Sequence, residues 1–123
     1  MEKFTAEVEK VENVTAVRLA GELDANTAVS ADDALQEAIT QAPNKALLID
    51  CTELHYISSA GLGVILSSLH LCKQHNIKVA FFGLQPKIKN VFAILGIEKI
   101  INTAPNEQEA LEFLNNGSAH NGQ

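Results

Sequence analysis

A chain of 123 residues has the size of one domain and is too short for two, so one core and one site are expected. Hydrophobic residues make up 46% of it and charged residues 20%, which excludes intrinsic disorder for the bulk of the chain. Nine Lys and Arg against fifteen Asp and Glu give a net charge of −6, a sign that repels phosphate backbones and anionic lipid and argues against direct nucleic-acid binding.

Phe4, Ala6 and Val8 alternate with polar residues and predict a half-buried strand. Val14 to Ala20 repeats the signal through Val17 and Leu19, and a turn near Glu12-Asn13 makes the two a hairpin. From Thr27 the spacing becomes helical, with Ala28, Ala31, Leu35, Ala38 and Ile39 on one face and Asp32, Asp33, Gln36 and Glu37 on the other. Pro43-Asn44 is the expected stop. Ala46 to Ile49 is a continuous apolar run, as in a central strand covered on both faces, with Asp50 at its end. A second helix is expected to begin at Ser58-Ser59, to bury Leu62, Ile65, Leu66 and Leu69, and to close at His75-Asn76. Ile77 to Phe82 reads as a strand stopping at Gly83. Pro86 then starts a helix that buries Ile88, Val91, Phe92 and Leu95 and ends at Gly96. Ile97 to Ile101 is assigned to a last strand, and Asn106 to Glu109 resembles a capping box leading into Ala110, Leu111, Phe113 and Leu114. The order β, β, α, β, α, β, α, β, α implies an α/β domain over 1–114 with a mostly parallel sheet. Residues 115–123 lack large apolar side chains and are expected to be a disordered tail.

In such a fold, ligands and modifications gather where strand carboxyl ends meet helix N-termini, which is where Ser58 and Ser59 fall. The free N–H groups and positive dipole end of a helix start favour a negative group by about 0.3–1 kcal/mol, so a phosphoserine would be well placed. Gly61 and Gly63 keep the first turn thin enough for another chain to approach, although each costs a helix roughly 1 kcal/mol relative to alanine. A structural reading stays open: one serine is only an N-cap, and the glycines only permit packing on the sheet. Asp24 suits a cap for the first helix, and Asp50 is placed to orient the serine loop by accepting backbone hydrogen bonds.

Gly21-Glu22-Leu23-Asp24 after a strand, then Leu48-Ile49-Asp50, then Tyr56-Ile57-Ser58-Ser59-Ala60-Gly61-Leu62-Gly63-Val64 resemble the STAS domain of bacterial anti-sigma factor antagonists. The similarity runs from Phe4 to Leu114 and includes Phe82-Gly83-Leu84, Pro86, Val91, Leu95-Gly96-Ile97 and Glu109-Ala110-Leu111. It implies a STAS-like fold, a small mixed, mostly parallel sheet with about four helices packed mainly on one side, and a regulatory binding module rather than an enzyme. In that family the unmodified protein binds an anti-sigma factor that is also a GHKL-type serine kinase, which frees a sigma factor. Phosphorylation of a serine in the Asp-Ser-Ser/Thr/Ala-Gly-Leu turn ends the binding, and a PP2C-type phosphatase restores it. Alignment on Gly61-Leu62 puts Ser59 at the phosphoacceptor, with Ser58 as second choice at the position usually held by aspartate. The resemblance further implies partner contacts at Asp24, Glu22, Ser58, Ala60, Gly61 and Gly63. A competing function keeps the fold without the phosphate, as an adaptor or ligand-sensing subunit of a transporter or other signalling complex.

Other chemistries find little support. Ile57 stands where a Gly-x-Ser-x-Gly elbow centred on Ser59 needs glycine, and Gly61-Leu62-Gly63 is followed by Leu66 rather than the third glycine of a dinucleotide fingerprint. Cys51 precedes His55 by four residues and Cys72 precedes His75 by three, but a helix from Ala60 to Gln74 spans roughly 22 Å and sets the pairs at opposite ends of the layer, so no metal or other cofactor is expected. Both cysteines are expected as thiols. No apolar stretch approaches the roughly 20 residues that cross a bilayer, and Met1 to Glu7 has neither a basic start nor an apolar core, so a cytoplasmic location without membrane insertion is the expectation. A monomer is the expected state, although no sequence feature specifies it.

Overall fold

Alternation places the first two strands. In a computed structural model describing residues 3–42 and 45–120, β1 (Thr5–Val11) and β2 (Val14–Leu23) form an antiparallel hairpin with Val11 opposite Val14. Glu12 turns it with a left-handed φ of 58°. The chain continues through α1 (Ala28–Thr40), β3 (Ala46–Ile57), α2 (Ser59–Gln74), β4 (Lys78–Phe82), α3 (Pro86–Ile94), a 3-10 turn (Ile97–Lys99), β5 (Asn102–Ala104) and α4 (Glu107–His120). The strands lie in the order β1-β2-β3-β4-β5, with every pair after the first parallel. The sheet thus grows in one direction from β2 to β5, so right-handed crossovers put α1, α2 and α3 on one face. With no strand to return to, α4 covers the opposite face.

Period-two alternation in β3 feeds both layers. Leu47, Ile49 and Cys51 enter the larger core under α1 to α3 with Val17, Leu35, Phe81 and Phe92, while Leu48 joins Val14, Phe82, Leu111 and Leu114 beneath α4. The two rings Phe81 and Phe92 meet edge to face, with centroids 6.3 Å apart. Arg18 ties α4 to the sheet: its guanidinium donates to Asp50 at 2.8 Å, to Glu107 at 2.9 Å and to Glu9. These bonds, Glu107 foremost, hold the Arg18 pKa above its ordinary value against the opposing effect of burial.

Several expectations are corrected. Strand β3 does not end at Asp50 but runs to Ile57, because β2 supplies backbone partners along its length, with register shifts after Arg18 and Gly21. Ile97–Lys99 is a 3-10 turn entered through Gly96 at φ 77°, and the last strand forms further on, opposite Ala80 to Phe82. Along α2 the buried stripe is Gly61, Ile65, Ser68 and Cys72, which leaves Leu66 exposed. Leu95 is likewise exposed, as the residue that ends α3. Helix α1 is over by Thr40, and its expected stop, Pro43-Asn44, lies outside the described residues. Helix α4 continues past Leu114 to His120, while 121–123, the end of the expected tail, lie outside the described residues.

Candidate functional site

Parallel β2 and β3 end side by side, with Glu22 in register with Tyr56 and Leu23 with Ile57. Their carboxyl ends deliver two segments to one edge, the Asp24–Thr27 loop into α1 and the Ser58 junction into α2. The Ser58 N–H donates to Leu23 C=O at 2.9 Å, so the two exits are joined by a hydrogen bond. Ser58 is extended and caps α2: its Oγ accepts the Gly61 N–H at 3.3 Å, and its C=O accepts the Leu62 N–H at 2.9 Å. Ser59, the first helical residue, is exposed, as is Ala60. The first intrahelical bond starts at Leu62 and Ser58 Oγ takes Gly61, so the N–H groups of Ser59 and Ala60 are left for water or an anion.

The two glycines divide in role. Gly61 is buried, and a Cβ there would stand 2.7 Å from Leu23 O, 2.7 Å from Leu23 Cγ and 2.9 Å from Ile57 Cγ1. It lets α2 lie against the ends of β2 and β3, and its thinness faces the sheet rather than a partner. Gly63 is exposed, with nothing within 4 Å of a Cβ.

Asp24 does not cap α1. Thr27 is the N-cap, and Asp24 Oδ1 instead accepts the Asn26 N–H at 2.9 Å in an Asx turn. Thr27 Oγ1 accepts the Asp24 N–H at 2.9 Å and donates to Glu22 C=O at 2.9 Å, which staples the loop shut. Asp50 lies away from the serine loop on the α4 face, where it accepts from Thr52 N–H, Thr52 Oγ1 and Arg18. Glu22, Asp24, Ser58, Ser59, Ala60 and Gly63 therefore share one edge. The Thr27 staple escaped sequence reasoning, and so did two exposed side chains beside these segments, Tyr56 at 49% and Val29 at 71%. Loop threonines are too common to single out, and an exposed tyrosine or valine reads from sequence as core.

Neither thiol is poised for chemistry. Cys72 is pushed up to about 11 by burial, and Cys51 is raised further by burial and then by the Asp50 charge. Among the described residues no group of His, Cys, Asp and Glu is arranged to hold a metal ion, and no helix is long and apolar enough to cross a membrane.

A family model described as "STAS domain" matches residues 5–110. The anti-sigma-B factor antagonist of Listeria monocytogenes is 36% identical over 83 residues, 68% of this chain and 72% of that protein. The anti-sigma F factor antagonist of Paenibacillus polymyxa is 32% identical over 108 residues, 88% and 92% of the two chains. The crystal structure of an anti-sigma factor antagonist from Mycobacterium paratuberculosis shares the fold, with a TM-score of 0.83 at 22% identity over 92% of this chain and 95% of that one.

Proposed function

The chain belongs to the STAS domain family, and on that premise we propose that it is an anti-sigma factor antagonist that exchanges partners according to phosphorylation of Ser59. The observation that carries the reading is the exposed Ser59 at the first turn of α2, beside the stapled Asp24–Thr27 loop. Unmodified, the edge formed by Glu22, Asp24, Ser58, Ala60 and Gly63 docks on an anti-sigma factor of the GHKL-type serine kinase class and frees a sigma factor in the cytoplasm. The kinase phosphorylates Ser59 Oγ, and a PP2C-type phosphatase removes the phosphate.

The physics of the switch is local. A phosphate adds about −1.5 to −2 charge and a tight hydration shell to a surface that already carries Glu22 and Asp24, which opposes docking. The fold accepts it without rearrangement, because the Ser59 and Ala60 N–H groups and the helix dipole favour an anion by about 0.3–1 kcal/mol. Serine at 58 in place of the family's usual aspartate retains the cap through Oγ while removing one charge next to the acceptor.

The test is a pull-down from lysate of the source cells with wild type, Ser59→Ala and Ser59→Asp as baits, and mass spectrometry of both prey and bait phosphosites. The expected result is a GHKL-type kinase retained by Ser59→Ala and lost by Ser59→Asp, with phosphate on wild-type Ser59. If all three baits hold the same non-kinase partner and neither Ser58 nor Ser59 carries phosphate, the constitutive adaptor takes the place of the switch.

A further inference from the structure

The outer face of α2 is unlike the one packed on the sheet. Leu66, Leu69, His70 and Lys73 follow the i, i+3, i+4, i+7 spacing and line one wall of an open groove of about 520 Å³. Ile77, Ile100 and Ile101 form its floor and far wall, where β4 starts and the 3-10 turn enters β5. The apolar surface does not stop at the mouth: Ile100 is 67% exposed, and the neighbouring end of α3 presents Ile94 at 73% and Leu95 at 57%. A small ligand inside the groove would leave these side chains in water, so the surface calls for a macromolecular cover.

The charge around the groove states the chemistry of that cover. Although the chain is acidic, no Asp or Glu is among the residues lining the groove, and Glu98 is the one carboxylate in the 3-10 turn beside it. Lys73 lines the groove and Lys99 adjoins Ile100, whereas the Lys78 ammonium turns to the other face, 4.3 Å from the Phe113 ring centroid. An extended segment would find only the three-residue edge of β5 to pair with. A helix can lie along α2 with apolar anchors in the groove and carboxylates toward Lys73 and Lys99. We propose that this groove docks an acidic amphipathic helix of a partner protein, at a face separate from the Ser59 edge.

The probe is a helix-stabilised peptide of about 18 residues with Leu at i, i+3, i+4 and i+7 and Glu on the flanks, titrated into the ¹⁵N-labelled full chain. The same peptide with Lys for Glu, dodecanoate, and the chain alone at increasing concentration are the controls. The proposal expects saturable shifts at 66–73 and 97–102, binding at least about tenfold weaker for the Lys peptide, and weakening with salt. Ile100→Asp and Lys73→Glu, both exposed and checked for folding by circular dichroism, are expected to weaken binding about fivefold or more, with Ser59→Asp within about twofold of wild type. Absence of saturable shifts, shifts confined to 22–27 and 58–63, or equal affinity for the two peptides would overturn it. So would self-association abolished by Ile100→Asp, which assigns the groove to a second copy, or displacement of the peptide by dodecanoate, which assigns it to an amphiphile.

Discussion

The two glycines in the first turns of α2 offer a matched pair of substitutions with opposite expected signs. Alanine exceeds glycine in a helix by about 0.8–1.0 kcal/mol, and that gain applies to Gly61→Ala and Gly63→Ala alike. At Gly63 nothing lies within 4 Å of the new methyl, so the full gain of about 1 kcal/mol is expected. At Gly61 the methyl meets the Leu23 carbonyl oxygen at 2.7 Å and Ile57 Cγ1 at 2.9 Å, and the oxygen belongs to β2 and cannot turn aside as a side-chain end would. Overpacking of this kind costs about 1–3 kcal/mol. The net expectation for Gly61→Ala is therefore a loss of up to about 2 kcal/mol, and the difference between the variants, from which propensity cancels, is about 1–3 kcal/mol in favour of Gly63→Ala. Urea denaturation followed by circular dichroism reads this as midpoints displaced to opposite sides of wild type at unchanged slope. Equal midpoints for the two variants would refute the close approach of α2 to the ends of β2 and β3, and with it the account of how Ser59 is held at this edge.

Ser58→Ala removes the acceptor of the Gly61 N–H and is expected to lower stability by about 0.5–1 kcal/mol, whereas Ser58→Asp retains the cap; urea midpoints check both. Arg18→Met leaves the nearly buried Asp50 carboxylate without its cation and frees Glu107 at the start of α4, a loss of about 1–3 kcal/mol that hydrogen exchange should locate in α4. Neither cysteine should react with Ellman's reagent in the native state at pH 8, because with its pKa held near 11 only about one Cys72 thiol in a thousand is ionised; one rapid equivalent would contradict the burial. Thiols of the unfolded chain ionise near 9, so the raised folded value contributes stability that is complete below that pH and is lost between about 9 and about 11. The Cys72→Ala variant should show a shallower alkaline decline, measured as the slope of stability against pH.

What the sequence made legible follows from which signals are local. The hairpin, α1 and the Ser58 start of α2 each rest on spacing or capping within a few residues, and they stand where expected. The second half of β3 carries no strand signal of its own, with Thr52, Glu53, His55 and Tyr56 in place of an apolar run; its strand character comes from β2, 30 or so residues away in sequence, which no local window contains. The misplaced last strand has the same origin, since Ile97–Ile101 has β-forming composition and only the pairing with β4 moves the strand to Asn102–Ala104. At the site, both serines were legible, yet Gly61 and Gly63 look alike in sequence and only the packing of Leu23 and Ile57 separates them. Asp24 reads from sequence as a cap for α1, and its Asx turn and the Thr27 staple depend on how the loop closes.

Helix α2 relates the two surfaces to each other. Its N-terminus presents Ser59 and its second half lines the groove, and 16 residues at about 1.5 Å each set its ends about 24 Å apart. That exceeds the Debye length of about 8 Å at physiological ionic strength, so a phosphate on Ser59 is largely screened at Lys73. On the buried side of the helix between them, Ile65 and Cys72 belong to the single core under α1 to α3. Free energies of binding at the two ends should then add, because coupling needs either a shared field or an element with two arrangements. A domain with both proposed surfaces would exchange a partner at the serine edge while holding another at the groove, and the phosphate would select what is bound at the first without releasing what is bound at the second.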